Sequence, residues 1–163
     1  MSALTLRLLG GGLLVLAGAL LGGSGAAALR TEARTLRSIS AALGIFESEL
    51  TALLTPLPDI FQKLRGERFF ELLSAGFGTE PTERLWRRAA ETLDIDAECV
   101  RALADLGAVI GRYDAARQAA EISAVRSRLD ARAAQLAEEI AGRGRRLPGL
   151  GAALGAMAAV LLF

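Results

Sequence analysis

Two long stretches without a single ionisable side chain, Leu8–Leu29 and Leu147–Phe163, bracket a middle that is dense in charge. A helix rises about 1.5 Å per residue and the hydrocarbon layer of a bilayer is about 30 Å thick, so the first stretch is long enough to cross it and the second sits at the short limit. Pro148 lies near the start of the second, where a proline in the first turn costs little. The pattern predicts a transmembrane helix over 8–29, a helical domain over 30–146 and a second transmembrane helix over 147–163. Arginines set the orientation. Only Arg7 and the amino terminus precede the first stretch, whereas Arg30, Arg34 and Arg37 follow it; Arg143, Arg145 and Arg146 precede the second, and nothing basic follows. Basic residues resist translocation, so both ends place the middle in the cytoplasm. The rival is a signal peptide cut after Gly25-Ala26-Ala27-Ala28, which would release an exported helical adaptor; the arginine flanks argue against it. Gly18 and Gly22 form a G-x-x-x-G pair that would permit close helix packing in lipid.

The middle is predicted to be all α. Aromatics are 5% of the chain, and Ala, Leu, Arg and Glu dominate at the expense of β-branched residues, which favours helix. Leu29, Ala33, Leu36, Ile39, Leu43, Phe46, Leu50 and Leu53 recur at threes and fours, one apolar stripe on a helix continuous with the first span. Thr55-Pro56-Leu57-Pro58 ends it, since a proline biases its predecessor away from helix. Two short helices follow, the first with Ile60, Phe61 and Leu64 inward and Gly66 closing it, the second with Phe69, Phe70, Leu72 and Leu73 and closed by Gly76-Phe77-Gly78. Thr79 is the expected N-cap of a fourth helix carrying Leu85, Trp86, Ala89 and Leu93. Asp94 or Asp96 caps a fifth running through Cys99, Leu103, Leu106 and Ile110, with Gly107 and Gly111 on one face. Asp114 caps a last helix whose seam is Val125, Leu129, Ala133, Leu136 and Ile140, preceded by Ile122. Gly142–Pro148 is the one hinge-like stretch. The whole reads as a bundle of about six helices, its long first and last members antiparallel because both lead to the same membrane surface.

Composition excludes several chemistries. There are 19 basic and 18 acidic residues, a net charge of +1, so nothing drives the chain toward nucleic acid. With no histidine, His-based acid–base relays are impossible, and a lone cysteine provides neither an intrachain disulfide nor a zinc site. No cofactor is implied. Glu47 and Glu49 are two apart on a helix, point to different faces and read as solvated. Cys99 sits at an apolar position and reads as a buried, inert thiol. Gly107 and Gly111 follow no strand, so they form no phosphate loop; they would let a neighbouring helix approach. Trp86 reads as core, or else as an anchor for a partner. Arg84, Arg87 and Arg88 form a cluster suited to an acidic partner or to anionic lipid. These residues point to a protein-binding role without catalysis, and a homo-oligomer is compatible with them.

Two blocks carry a family resemblance. Leu43-Gly44-Ile45-Phe46-Glu47-Ser48-Glu49-Leu50, followed by Thr55-Pro56-Leu57-Pro58, resembles the apolar-Glu-x-Glu run and the T-P-L-P of stage III sporulation protein AB. Leu106-Gly107, Ile110-Gly111, Asp114 and Gln118, then Ile122 and Leu129, resembles that family's L-G-x-x-(L/I)-G-x-x-D-x-x-x-Q stretch, and Trp86 falls where the family tends to carry a tryptophan. The resemblance spans nearly the whole chain; the departures are an unusual richness in Ala and Arg and a Gly-rich first span. It implies a fold similar to the cytoplasmic domain of the type II secretion F platform protein, a six-helix bundle. It also implies a place in the mother-cell-side membrane around the forespore, within the channel joining the two cells. The implied partners are the stage III sporulation AA-type ATPase and other channel proteins. A pilus or general secretion platform is the neighbouring alternative, disfavoured by a single domain with two spans.

Overall fold

The computed structural model describes the backbone of residues 3–162 and the side chains of residues 25 and 27–142. Six helices follow one another: α1 Ala3–Thr51, α2 Leu57–Lys63, α3 Arg68–Gly76, α4 Thr82–Glu91, α5 Ala97–Leu106 and α6 Ala115–Leu162. The chain is all α among the described residues, as the composition predicts. It divides into two compact units, Glu32–Gln135 and a second made of Met1–Thr31 with Leu136–Phe163. Among the described residues no helix is long and apolar enough to cross a membrane. The expected spans, with Gly18, Gly22, Arg143, Arg145 and Arg146, lie almost wholly outside the described side chains. Helix α6 passes through Gly142–Pro148, where a hinge is expected. Glycine inside a helix costs only about 1 kcal/mol against alanine, which a long helix absorbs.

The Glu32–Gln135 unit is built on the predicted stripe. Ala33, Leu36, Ile39, Leu43 and Phe46 of α1 are all buried, and Ile122, Val125, Leu129 and Ala133 of α6 match them. The two helices are antiparallel, for Arg126 pairs with Glu47 at 2.8 Å and Arg132 with Glu32 at 3.6 Å, so numbers rise along one as they fall along the other. The short helices pack against α1 through rings. Phe46, Phe61, Phe69, Phe70 and Trp86 are all fully buried. The Trp86 ring lies 5.5 Å from Phe69, 5.9 Å from Phe46 and 6.0 Å from Phe61, in edge-on geometries that suit the ring quadrupoles. Each buried ring contributes about 1.5–3 kcal/mol by leaving water.

Several boundaries differ from expectation. Helix α1 stops at Thr51, so Leu53 is no longer in the stripe but 64% exposed, and Leu54 beside it takes a positive φ of 51°. Thr55-Pro56-Leu57-Pro58 opens α2 as much as it closes α1. Pro56 is the N-cap and Pro58 falls in the first turn, where a missing N–H goes unmissed. That helix ends at Lys63, before Gly66. Thr79 does not cap α4; its hydroxyl donates to the Gly76 carbonyl at 2.7 Å, and Pro81 occupies the cap position. Of the two aspartates before α5 it is Asp96 that caps, accepting from the Glu98 N–H at 2.9 Å. Helix α5 stops at Leu106, four residues short of Ile110.

Candidate functional site

The residues of the two motif blocks come together in space. Glu47 and Glu49 are not a solvated face: each closes a contact distant in sequence. Glu47 accepts from Arg126 across the α1–α6 seam, and Arg126 also lies over Gly44, where a Cβ would stand 3.1 Å from its guanidinium carbon. Glu49 accepts from the Lys63 ammonium at 2.7 Å and from the Thr55 hydroxyl at 2.6 Å, while the Thr55 N–H donates to the Glu49 carbonyl at 3.0 Å. The Lys63 bond, then the Thr55 bond, hold the Glu49 carboxyl below the usual carboxylate range. A depressed carboxylate stabilises the fold above its unfolded pKa and loses that contribution as pH falls through the folded value. Glu49 therefore pins the turn that Thr55-Pro56-Leu57-Pro58 begins, while Glu47 ties α1 to α6.

The second block pins the turn before α6. Asp114 accepts from the Arg117 N–H at 3.0 Å, the predicted cap. Gln118, 6% exposed, spans the turn: its carbonyl oxygen accepts from the Gly111 N–H at 3.0 Å and its amide donates to the Tyr113 carbonyl. Gly111 has φ +78°, and a Cβ there would stand 3.3 Å from Leu57 of the first block. Gly107, by contrast, has ordinary helical angles; a Cβ on it would run into Trp86, 2.9 Å from its Cγ. The two glycines, expected to share a face, do different work: one is a left-handed turn, the other a place where α5 and Trp86 touch. Gly111→Ala should destabilise the chain by roughly 1–2 kcal/mol, the cost of forcing a Cβ into the left-handed region. Urea unfolding followed by circular dichroism measures it, and an unchanged midpoint would contradict the turn's role.

The basic cluster separates. Trp86 is fully buried among Phe46, Phe61 and Phe69, which leave it no solvent face, so of its two readings the structure gives core and not anchor. Arg84, Arg87 and Arg88 are exposed. Arg88 pairs with Glu80 at 2.6 Å, and Arg87 at 3.4 Å shares Glu83 with Arg112 at 3.3 Å, so this face is largely neutralised. Arg84 is in no ion pair among the described residues. Arg30, Arg34 and Arg37 are likewise exposed. Cys99 is 5% exposed, and burial, then the nearby Asp96 carboxylate, pushes its thiol up. Native Cys99 should therefore resist iodoacetamide at neutral pH far longer than the unfolded thiol; rapid native labelling seen by mass spectrometry would contradict its placement.

Sequence reasoning missed the contacts that lie far apart in the chain. Glu32 accepts from the Asp96 N–H at 3.1 Å and pairs with Arg132, tying three helices, and Ser38 donates to Glu67. Nothing local announces such pairs; the one signal was a charged residue beside a buried stripe. Among the described residues no group of three potential metal ligands occurs.

Motif residues that hold turns, rather than present reactive groups to a cleft, define an all-α structural bundle. A match to the stage III sporulation protein AB family covers residues 7–163, nearly the entire chain. The chain belongs to that family and is thus a protein of the third stage of sporulation. No curated protein and no solved structure matches it.

Proposed function

We propose that this chain is a non-catalytic membrane platform of the channel between mother cell and forespore, and that its bundle docks or positions the stage III sporulation AA-type ATPase in the cytoplasm. Family membership carries the reading. The fold supports it physically: α1 and α6 are cross-tied by Glu47–Arg126 and Glu32–Arg132, so a push on the Glu32–Gln135 unit is borne by packed, ion-paired helices and not by a loop. The arginines that follow Leu29 and precede Leu147 favour spans at both ends and a cytoplasmic middle.

A protease-cleavage site inserted near Gly78 tests the orientation, because that turn is exposed. Cleavage from outside intact cells would end the proposal, since no cytosolic motor could reach the bundle. Arg84 is the cation of its cluster without an ion-pair partner among the described residues. Arg84→Glu is expected to weaken capture of the ATPase by about 1 kcal/mol, roughly fivefold, with an unchanged melting curve. Equal capture in a pull-down would remove this face from the docking surface.

A further inference from the structure

We propose that a recess between α1, the α2–α3 turn and the α4–α5 turn binds a phosphate carried beside an ammonium, the chemistry of phosphoethanolamine. The recess has a volume of about 440 Å³, within the range of small-molecule sites. Phe69, fully buried, gives it an apolar floor. Arg34 enters from α1 and Arg68 from the first turn of α3, and neither guanidinium is in an ion pair among the described residues. Thr35 adds a hydroxyl to the lining. Planar guanidinium forks and a hydroxyl are the donors that phosphate oxygens take.

The lining also carries two carboxylates, Glu67 and Asp94. Asp94 stands in no ion pair among the described residues, and Glu67 holds the Ser38 hydroxyl with acceptor capacity to spare. Two cations and two carboxylates make the recess neutral, which disfavours a bare anion and suits a zwitterion. Carboxylates want N–H donors, so an ammonium fits where a trimethylammonium does not. Phosphoethanolamine occurs free and as the headgroup of a phospholipid, and the two sources differ only in what the phosphate carries. The inference goes beyond the platform reading and stands independently of whether an ATPase docks.

The full-length chain in dodecyl maltoside is titrated by calorimetry with phosphoethanolamine, phosphocholine and inorganic phosphate. In a second arm, native mass spectrometry follows retention of phosphatidylethanolamine against phosphatidylcholine. Saturable binding of phosphoethanolamine, its phospholipid or both is expected, roughly tenfold tighter than the choline analogue, because a site built to accept N–H donors rejects a ligand that lacks them. Retention of the lipid without binding of the free compound assigns the site to the headgroup; the reverse assigns it to the soluble molecule. Arg34→Ala with Arg68→Ala should weaken binding at least about tenfold, and Asp94→Asn should erase the preference over choline. These side chains are exposed, so the variants are expected to melt as the parent does. Absence of saturable binding in both arms, equal binding of inorganic phosphate, or unchanged binding in the Arg34/Arg68 variant would overturn the proposal.

Discussion

Trp86→Ala is expected to destabilise the chain by about 3–5 kcal/mol, the range for removing a fully buried aromatic and leaving a cavity. That is a large part of the 5–15 kcal/mol that typically holds a domain together, so the variant should be partly unfolded near physiological temperature. The expectation rests on the ring's position. It is fully buried and joins Phe46 of α1, Phe61 of α2 and Phe69 of α3 to its own helix, α4. Its deletion would loosen four helices at once. The indole N–H has no hydrogen-bond partner within the core, so Trp86→Phe surrenders no polar contact and should cost much less than the alanine variant. Urea unfolding of the full-length chain, followed by circular dichroism, separates the two. A loss below about 1 kcal/mol for Trp86→Ala would mean that the tryptophan is not in the core.

Gly107→Leu is the second large effect. The added side chain has to enter space already held by the Trp86 Cβ and Cγ, the stiff base of a buried ring and not the tip of a mobile chain. The carbonyl of Ala104 stands 3.2 Å from the new Cβ on another side. Over-packing of this kind costs about 1–3 kcal/mol, and the absence of any yielding neighbour puts this site at the upper end. Gly107→Ala is the sharper measurement, because its single methyl tests the contact alone. Since φ at Gly107 is −62°, no backbone strain contributes, unlike Gly111 at +78°. A thermal melt of either variant indistinguishable from the parent would show that α5 and Trp86 do not touch as described. Combined with Trp86→Ala, Gly107→Ala should remain costly, because alanine keeps the Cβ at position 86 that the added methyl meets first.

Much of the fold was legible because periodicity and capping are local. The stripe Ala33–Phe46 and the seam Ile122–Ala133 are buried as their spacing of threes and fours requires, and Asp96 and Asp114 cap the helices that follow them. Periodicity failed at ends. Leu53 continues the stripe on paper but lies beyond the last helical turn, where an apolar residue simply faces water. Thr79 has the chemistry of a cap yet bonds backward to Gly76, because Pro81 already supplies the fixed φ that α4 needs to begin. Of the motif residues, the sequence shows which stand out but not what they do. Glu47 and Glu49 read as solvent-facing because their partners, Arg126 and Lys63, are 79 and 14 residues away.

The order of apolar and polar residues thus decided by itself that this chain is helical, where its helices lie and which faces they bury, since each of those properties depends on neighbours within about one or two helical turns. Its family follows from the same string, because the motif blocks are read as letters at fixed spacing. Only the folded chain decided that the two blocks meet, that Gly107 yields to Trp86 while Gly111 turns the backbone, and that Arg87 and Arg88 are spent on glutamates while Arg34 and Arg68 are not. Those outcomes depend on which helices pack side by side, and contacts between residues far apart in sequence leave no local trace in it.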